Sequence, residues 1–479
     1  MRVAVIGAGM AGILAAIKLR AAGIDDVTIY EKGDCYGGTW RENTYPGLSC
    51  DVPSHLYSYS FEPNPDWSHR FSPGAEIQAY FDGVARRHGL EAVTRFGEEV
   101  AACRLVDGRW HLETARGRRD AVDVVVAATG VLHHPNDVPF DGLDSFAGPA
   151  FHSARWDHDV AIRGRRVGIV GTGSTAVQIT GAIVDEVASL TLFQRTAQWI
   201  MPQKNPPYSG EERDAFRRDP AAMASHREEW SRLFTDGISN NLVDAESPEM
   251  RLIEDMCRAN LEQSVTDPER REQLRPTYRA ACKRLAISPN FYEAIQQPNA
   301  HLVTAGIQRM EPDGVRTTDG VVHELDVVVL ATGFRVDRFV RPIVVVGRDG
   351  LDLDDVWADG PLAYLSVSVP GFPNLFLLNG PNGPVGNFSL IEVAERQMDY
   401  VLQLLDVARA GGARGISATA DATARFETQR RAAARSTIWM TGCRSWYLDR
   451  HGVPATWPWT FDRFRATMAR PAIDDFELT

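Results

Sequence analysis

No uncharged apolar run in this chain approaches the roughly 20 residues that a helix needs to cross a bilayer, so no membrane span is expected. The N-terminus, Met1 to Ile6, runs directly into a glycine turn. It lacks the long apolar core and small-residue cleavage site of a secretory signal, and a cytoplasmic location is expected. Cysteine is scarce. The six residues, Cys35, Cys50, Cys103, Cys257, Cys282 and Cys443, are scattered and form no Cys-x-x-Cys pair. That pattern argues against a zinc ribbon or a disulfide framework, so no metal site is expected and all six are read as reduced structural thiols. Positive charge is also not in excess. Lys and Arg total 51 against 63 Asp and Glu, a formal charge of -12, which disfavours nucleic acid and anionic membranes as partners. What remains is a soluble, multi-domain globular chain of 479 residues with an ordinary 44% hydrophobic content.

The chain opens with a buried strand at Val3 to Ile6, a glycine turn, a helix rich in Ala and Leu from Met10 to Ala22, and a second strand, Val27 to Tyr30. In that setting Gly7-x-Gly9-x-x-Gly12 acquires meaning. Gly7 permits the tight turn, Gly9 lets the backbone approach a pyrophosphate, and Gly12 lets helix and strand pack closely. The helix N-terminus then faces the phosphates. Glu31, just after the second strand, is placed to accept hydrogen bonds from a ribose and would repel a 2′-phosphate. This unit is therefore assigned to FAD.

A second unit begins at Arg166 to Val170, turns at Gly171-Thr-Gly173-Ser174, and returns through a helix to Leu190 to Phe193. Ala176 takes the place of the third glycine. Where the first unit has Glu31, this one has Arg195 followed by Thr196, and a guanidinium pairs bidentately with phosphate. NADPH is thus favoured over NADH, the alternative for Arg195 being a solvated surface charge. Two further strands, Val122 to Gly130 and Leu325 to Gly333, end in the same Ala-Thr-Gly triplet, at Thr129 and Thr332. Each follows one nucleotide unit, as expected if both units use a similar returning strand. The fold class is α/β, with two Rossmann-like dinucleotide-binding domains and a helical insertion. The expected division is 1–150 and 345–479 for the FAD domain, 160–207 and 300–344 for the NADPH domain, and 208–299 for the insertion. Within the insertion, Met250 to Leu261 carries helical spacing.

Many flavoproteins share this architecture, so local chemistry must decide between them. Disulfide reductases place Cys-x-x-x-x-Cys shortly after the first nucleotide unit, and Cys35 and Cys50 have neither that spacing nor that setting. Two long motifs point elsewhere. Between the nucleotide units lies Phe146-x-Gly148-x-x-x-His152-x-x-x-Trp156-Asp157, and upstream of it lie Gly38-Thr39-Trp40, Tyr45-Pro46-Gly47 and, after three residues, Asp51. Together they resemble the fingerprints of type I Baeyer-Villiger monooxygenases, and the run from Asp51 to Phe61 is most similar to the 4-hydroxyacetophenone monooxygenase branch. A plainer role for Phe146 and Trp156 is to anchor a domain linker, with His152 coupling domain position to cofactor binding.

That resemblance covers the chain from Gly7 to Trp459. It implies an NADPH- and oxygen-dependent flavoprotein that converts a ketone to an ester or lactone through a peroxyflavin. The partners implied are a small ketone and dioxygen, in a monomer or a homodimer. By the same resemblance Arg284 is the catalytic arginine, Asp51 orients it, and Lys283 joins Arg195 and Thr196 on the NADP 2′-phosphate. For Lys283 and Arg284 the alternative is a solvated basic pair on a helix. Asn382 falls in the family's flavin-contact turn. Trp446 corresponds to a residue on a mobile segment that closes over the nicotinamide ribose, core packing being its alternative. Two other functions stay open: an S- or N-oxygenating flavin monooxygenase, and a noncatalytic FAD and NADPH redox sensor.

Overall fold

A computed structural model describes residues 1–136, 139–386 and 388–479. Val3, Ala4 and Val5 are completely buried, and so are Val124, Val125 and Val126 beside them. Such unbroken apolar runs, with no alternation, are what strands covered on both faces require. They form one parallel sheet in the order Leu375–Leu377, Val124–Ala127, Val3–Ile6, Val27–Tyr30, Thr94–Arg95. A second parallel sheet runs Ala300–Val303, Ser189–Phe193, Arg166–Val170, Val327–Leu330, Ala150–His152. The molecule is therefore α/β with two Rossmann-like units, as the motifs indicate. The two Ala-Thr-Gly strands occupy matching places, each hydrogen-bonded to the first strand of its own unit.

The glycine turns are built alike. Gly7 and Gly171 have φ of 103° and 122°. A Cβ would lie 2.6 Å from the Ala128 carbonyl oxygen at Gly7 and 2.4 Å from that of Ala331 at Gly171, so the returning strand itself excludes a side chain. The helices that follow are Met10–Ala21 and Ser174–Ile183. Ala176 is fully buried against its sheet, which shows that one methyl group is tolerated there.

Helices Gly210–Arg218, Pro220–Gly237, Pro248–Ser264 and Pro268–Gln273 follow the second unit. Three of them begin with proline directly after a capping Asp219, Ser247 or Asp267, where a missing N–H costs nothing. Pro248–Ser264 buries Met250, Ile253, Cys257 and Leu261 along one stripe, the 3.6-residue pattern expected for it. The helical character stops at Gln273. From there to Asn290 the chain is irregular apart from the short strand Ala286–Ser288, so Lys283 and Arg284 do not stand on a helix.

The expectation of six reduced thiols is corrected. Cys282 and Cys443 form a disulfide across 161 residues of sequence, with Cα atoms 6.1 Å apart. Sequence spacing carries no sign of this, because the two meet only when the C-terminal segment folds back over the insertion. Cys50, Cys103 and Cys257 are free and buried, and burial raises each thiol pKa, that of Cys103 and Cys257 to about 12. Those three are inert structural thiols.

Candidate active site

The helices of the insertion are capped by Ser or Asp side chains, but the two that follow the glycine turns are not. Gly9 and Gly173 occupy their N-cap positions without any side-chain cap. At Gly173 an added Cβ would meet nothing within 4 Å. Each helix thus begins with backbone N–H groups that no side chain caps, the arrangement that receives a phosphate. Ser174 sits half-buried in the first turn of the second helix.

Glu31 is buried at the end of its strand. One carboxylate oxygen accepts from the Ala8 amide at 2.7 Å, and the other accepts from the Gly33 amide at 2.7 Å and Arg41 at 2.8 Å. A carboxylate offers about four acceptor positions, so capacity for a ribose hydroxyl remains. Gly38 packs on Gly9, whose Cβ would lie 3.3 Å from the Gly38 Cα. Thr39 and Trp40 begin the short helix Thr39–Glu42 beside that turn. The Trp40 indole donates to the Tyr57 hydroxyl at 3.2 Å. Thr129, at the end of the returning strand, donates to the Phe339 carbonyl at 3.0 Å.

In the second unit Arg195 is exposed directly after strand Ser189–Phe193, and the Thr196 carbonyl accepts from Thr172 at 2.7 Å. Lys283 arrives from the insertion, its ammonium 4.8 Å from the Tyr278 ring centroid. Burial lowers its pKa from the ordinary lysine value, and the nearby Arg195 charge lowers it further. Lys283 and Arg195 are thus near enough for their charges to act on one another, a pairing that suits a dianionic phosphate. Arg195 is exposed, as a solvated surface charge would also be.

Arg284 and Asp51 are brought together across 233 residues. Arg284 donates to one Asp51 oxygen through Nε at 3.1 Å and also through Nη2, and through Nη1 to the Gly386 carbonyl. The side chains are 30% and 25% exposed, so the pair is neither solvated nor sealed. Burial alone would lower the arginine pKa. Asp51 and the Tyr447 phenol more than offset it, and the pKa is raised, leaving a permanent cation. Gln198 holds the Arg284 carbonyl and is itself held by the Tyr278 hydroxyl at 2.9 Å.

Asn382 is buried with φ of 66°, and its amide holds Ala363 and Ala455 in the turn. Trp446 is 38% exposed and stacked on Tyr447 at 4.1 Å, so core packing does not describe it. Ser445 Oγ and Asn379 Oδ1 are buried with no hydrogen-bond partner among the described residues, which suits residues that face a bound group. The two long motifs touch one another: Thr44 meets His158 at 2.8 Å and Glu42 pairs with Arg155 at 2.7 Å. Tyr45 bonds to Gln178 of the second unit at 2.9 Å. His152 bonds to the Gly333 carbonyl at 3.1 Å, at the turn after the returning strand of the second unit. Sequence reasoning missed Arg41, Gly386, Tyr447 and the Cys282–Cys443 link. Tyr447 had a signal, its place beside Trp446, but nothing to name its partner.

Among the described residues no group of His, Cys, Asp and Glu is arranged to hold a metal ion, and no helix is long and apolar enough to cross a membrane.

Comparison with known proteins shows what the chain is similar to. Residues 4–211 match the family described as pyridine nucleotide-disulphide oxidoreductase. An uncharacterized monooxygenase of Mycobacterium tuberculosis is 48% identical over 99% of this chain and 96% of its own length. A Baeyer-Villiger monooxygenase of Streptomyces coelicolor is 40% identical over 100% of this chain and 92% of its own. Cyclohexanone monooxygenase from Rhodococcus sp. Phi1 bound to NADP+ superimposes with a TM-score of 0.89 at 30% identity, covering 100% of this chain and 99% of the other. OTEMO in complex with FAD and NADP gives 0.90 at 28% identity, with the same coverage.

Proposed function

The chain belongs to the Baeyer-Villiger monooxygenase family, and from that premise we propose that it inserts one atom of dioxygen beside a ketone carbonyl at the expense of NADPH. The balanced reaction is ketone plus O2, NADPH and H+ giving ester or lactone plus water and NADP+. The uncapped helix Met10–Ala21, with Gly7, Gly9, Gly12, Glu31, Gly38, Thr39, Trp40, Thr129 and Asn382, suits FAD. The second uncapped helix, with Gly171, Gly173 and Ser174, suits the NADP pyrophosphate, and Arg195, Thr196 and Lys283 its 2′-phosphate. FAD, when bound, supplies the transfer of electrons from NADPH to dioxygen; the chain positions and stabilises charge.

The observation that carries this reading is the half-buried Arg284–Asp51 pair, in which the first long motif supplies the carboxylate and the Gly386 carbonyl takes the far side of the guanidinium. Arg284 supplies a fixed positive charge to the anionic oxygen species that attacks the carbonyl and to the oxyanion that results. Asp51 turns the guanidinium and holds it ionised. Trp446 covers the nicotinamide side, being exposed on a segment that reaches Arg284 through Tyr447. An electrophilic oxygen transfer to sulfur or nitrogen has no use for such a cation, and a redox sensor has no use for it either. The run from Asp51 to Phe61 supports aryl ketones of the 4-hydroxyacetophenone type as the first substrates to try.

The test is turnover of the FAD-loaded protein with NADPH under 18O2, against a panel of cyclic, linear and aryl ketones and of sulfides. One labelled oxygen in an ester or lactone is the expected product. Sulfoxide without ester would favour the S-oxygenating reading, and NADPH oxidation with neither would end both.

A further inference from the structure

The hydroxyl of Tyr447 stands where three separate parts of the chain meet. The residue is 3% exposed, its ring lies between Trp446 at 4.1 Å and Trp439 at 5.2 Å, and its hydroxyl donates to the Gly386 carbonyl at 3.2 Å. That same carbonyl accepts from Arg284 Nη1. Gly386 has φ of 90°, and a Cβ there would lie 2.8 Å from both the Trp446 ring and the Tyr447 hydroxyl, so the three groups are in close contact. Two residues before Arg284, Cys282 is covalently joined to Cys443, four residues before Tyr447. The segment that presents the cation and the segment that presents Trp446 therefore share a disulfide and a hydrogen-bonded junction.

Resting on the reading given above, we propose that Tyr447 is a positioning residue for the oxygen-insertion step: its hydroxyl shares the Gly386 carbonyl with Arg284 and makes the guanidinium's orientation depend on where the Trp446 segment sits. Asp51 takes two donors from one side of the guanidinium, leaving rotation about the far bonds to be resisted from the other side. The Gly386 carbonyl does this, and Tyr447 fixes the carbonyl. A ring without a hydroxyl fills the same space between the two tryptophans but leaves that junction loose. Closing of Trp446 over the cofactor and alignment of Arg284 then become one event.

The test compares wild type with Tyr447→Phe and Tyr447→Leu, each alone and combined with Arg284→Ala, as FAD-loaded full-length enzymes. Melting temperature and FAD content establish that each variant is folded. The hydroxyl bridges a charged group, so Tyr447→Phe should lower kcat for ester formation about tenfold. KM for ketone and NADPH should stay within about twofold. The lost turnover should appear as hydrogen peroxide, from NADPH plus O2 and H+ giving NADP+ and H2O2. In the Arg284→Ala background the same change should add nothing, because the group it orients is gone. Tyr447→Leu should share the kcat loss. Wild-type kcat and peroxide yield in Tyr447→Phe with loss confined to Tyr447→Leu would make Tyr447 a packing residue and overturn the inference. Additive losses with Arg284→Ala would do the same. If the wild type makes no ester or lactone from any ketone while Tyr447→Phe matches its peroxide yield, the functional reading and the inference fall together.

Discussion

At Lys283 and Arg195 two cations lie near one another, and the half-buried one bears the consequence. Lys283 loses its proton below the ordinary lysine value of about 10.4, because burial and then Arg195 disfavour its charged form. A neutral amine has little hold on a phosphate. In the free enzyme, which kcat/KM reports, efficiency with NADPH should fall on the alkaline side at a pH below that value. Lys283→Arg should move the fall out of range, since guanidinium stays charged. Lys283→Met should raise KM for NADPH about tenfold or more while leaving KM for NADH unchanged. An unchanged NADPH preference would remove Lys283 from the phosphate site. Single residues were legible in the sequence where the residue type dictates the chemistry, as with Glu31 after the first unit and Arg195 after the second. Arg284 was legible only through the motif resemblance, because nothing in a Lys-Arg pair announces a carboxylate 233 residues away.

Among the elements, those that follow from local physics were readable. Strand, glycine turn and helix lie within one short stretch of chain, so hydrophobic period and turn chemistry identify them together. Three helices of the insertion likewise announce their starts with Ser or Asp followed by Pro. The stretch from Leu274 to Asn290 does not, since its conformation is imposed from outside, by Gln198, Trp199 and the Cys282–Cys443 bond. That bond closes a loop of 161 residues and restricts the unfolded chain. Cys443→Ser should therefore lower stability by about 2–4 kcal/mol, read as the shift of a denaturant midpoint. A midpoint that does not move, or titration of six thiols in the unfolded wild type without reductant, would show the link to be absent in solution.

For the whole molecule, the pattern of two nucleotide units was visible from the repeated Ala-Thr-Gly strands, whereas the contact between the units was not. Thr44 with His158, Glu42 with Arg155 and Tyr45 with Gln178 join segments far apart in sequence. Packing also leaves His55 buried and His133 and His226 half-buried. His55 is pushed down to about 3 by burial and then by His226 and Arg227, and His133 to about 4 by burial and then His134. Burial lowers His226 as well. These groups stay neutral when folded but take up a proton when unfolded at about pH 6.5, so the unfolded state binds more protons as the pH falls. The melting temperature should decline from about pH 6.5 toward pH 4, and His55→Leu should flatten part of that decline. A melting temperature constant across this range would contradict the neutrality of these histidines in the folded state.

The proposed oxygen insertion turns on Arg284 as the charge that directs oxygen into the carbonyl. Loss of one such fixed donor costs on the order of 3 kcal/mol, more than a hundredfold in rate. Arg284→Ala, loaded with FAD and supplied with NADPH and a ketone that the wild type converts, should still consume NADPH but yield over a hundredfold less ester or lactone, with hydrogen peroxide in its place. Wild-type ester yield from Arg284→Ala would contradict it.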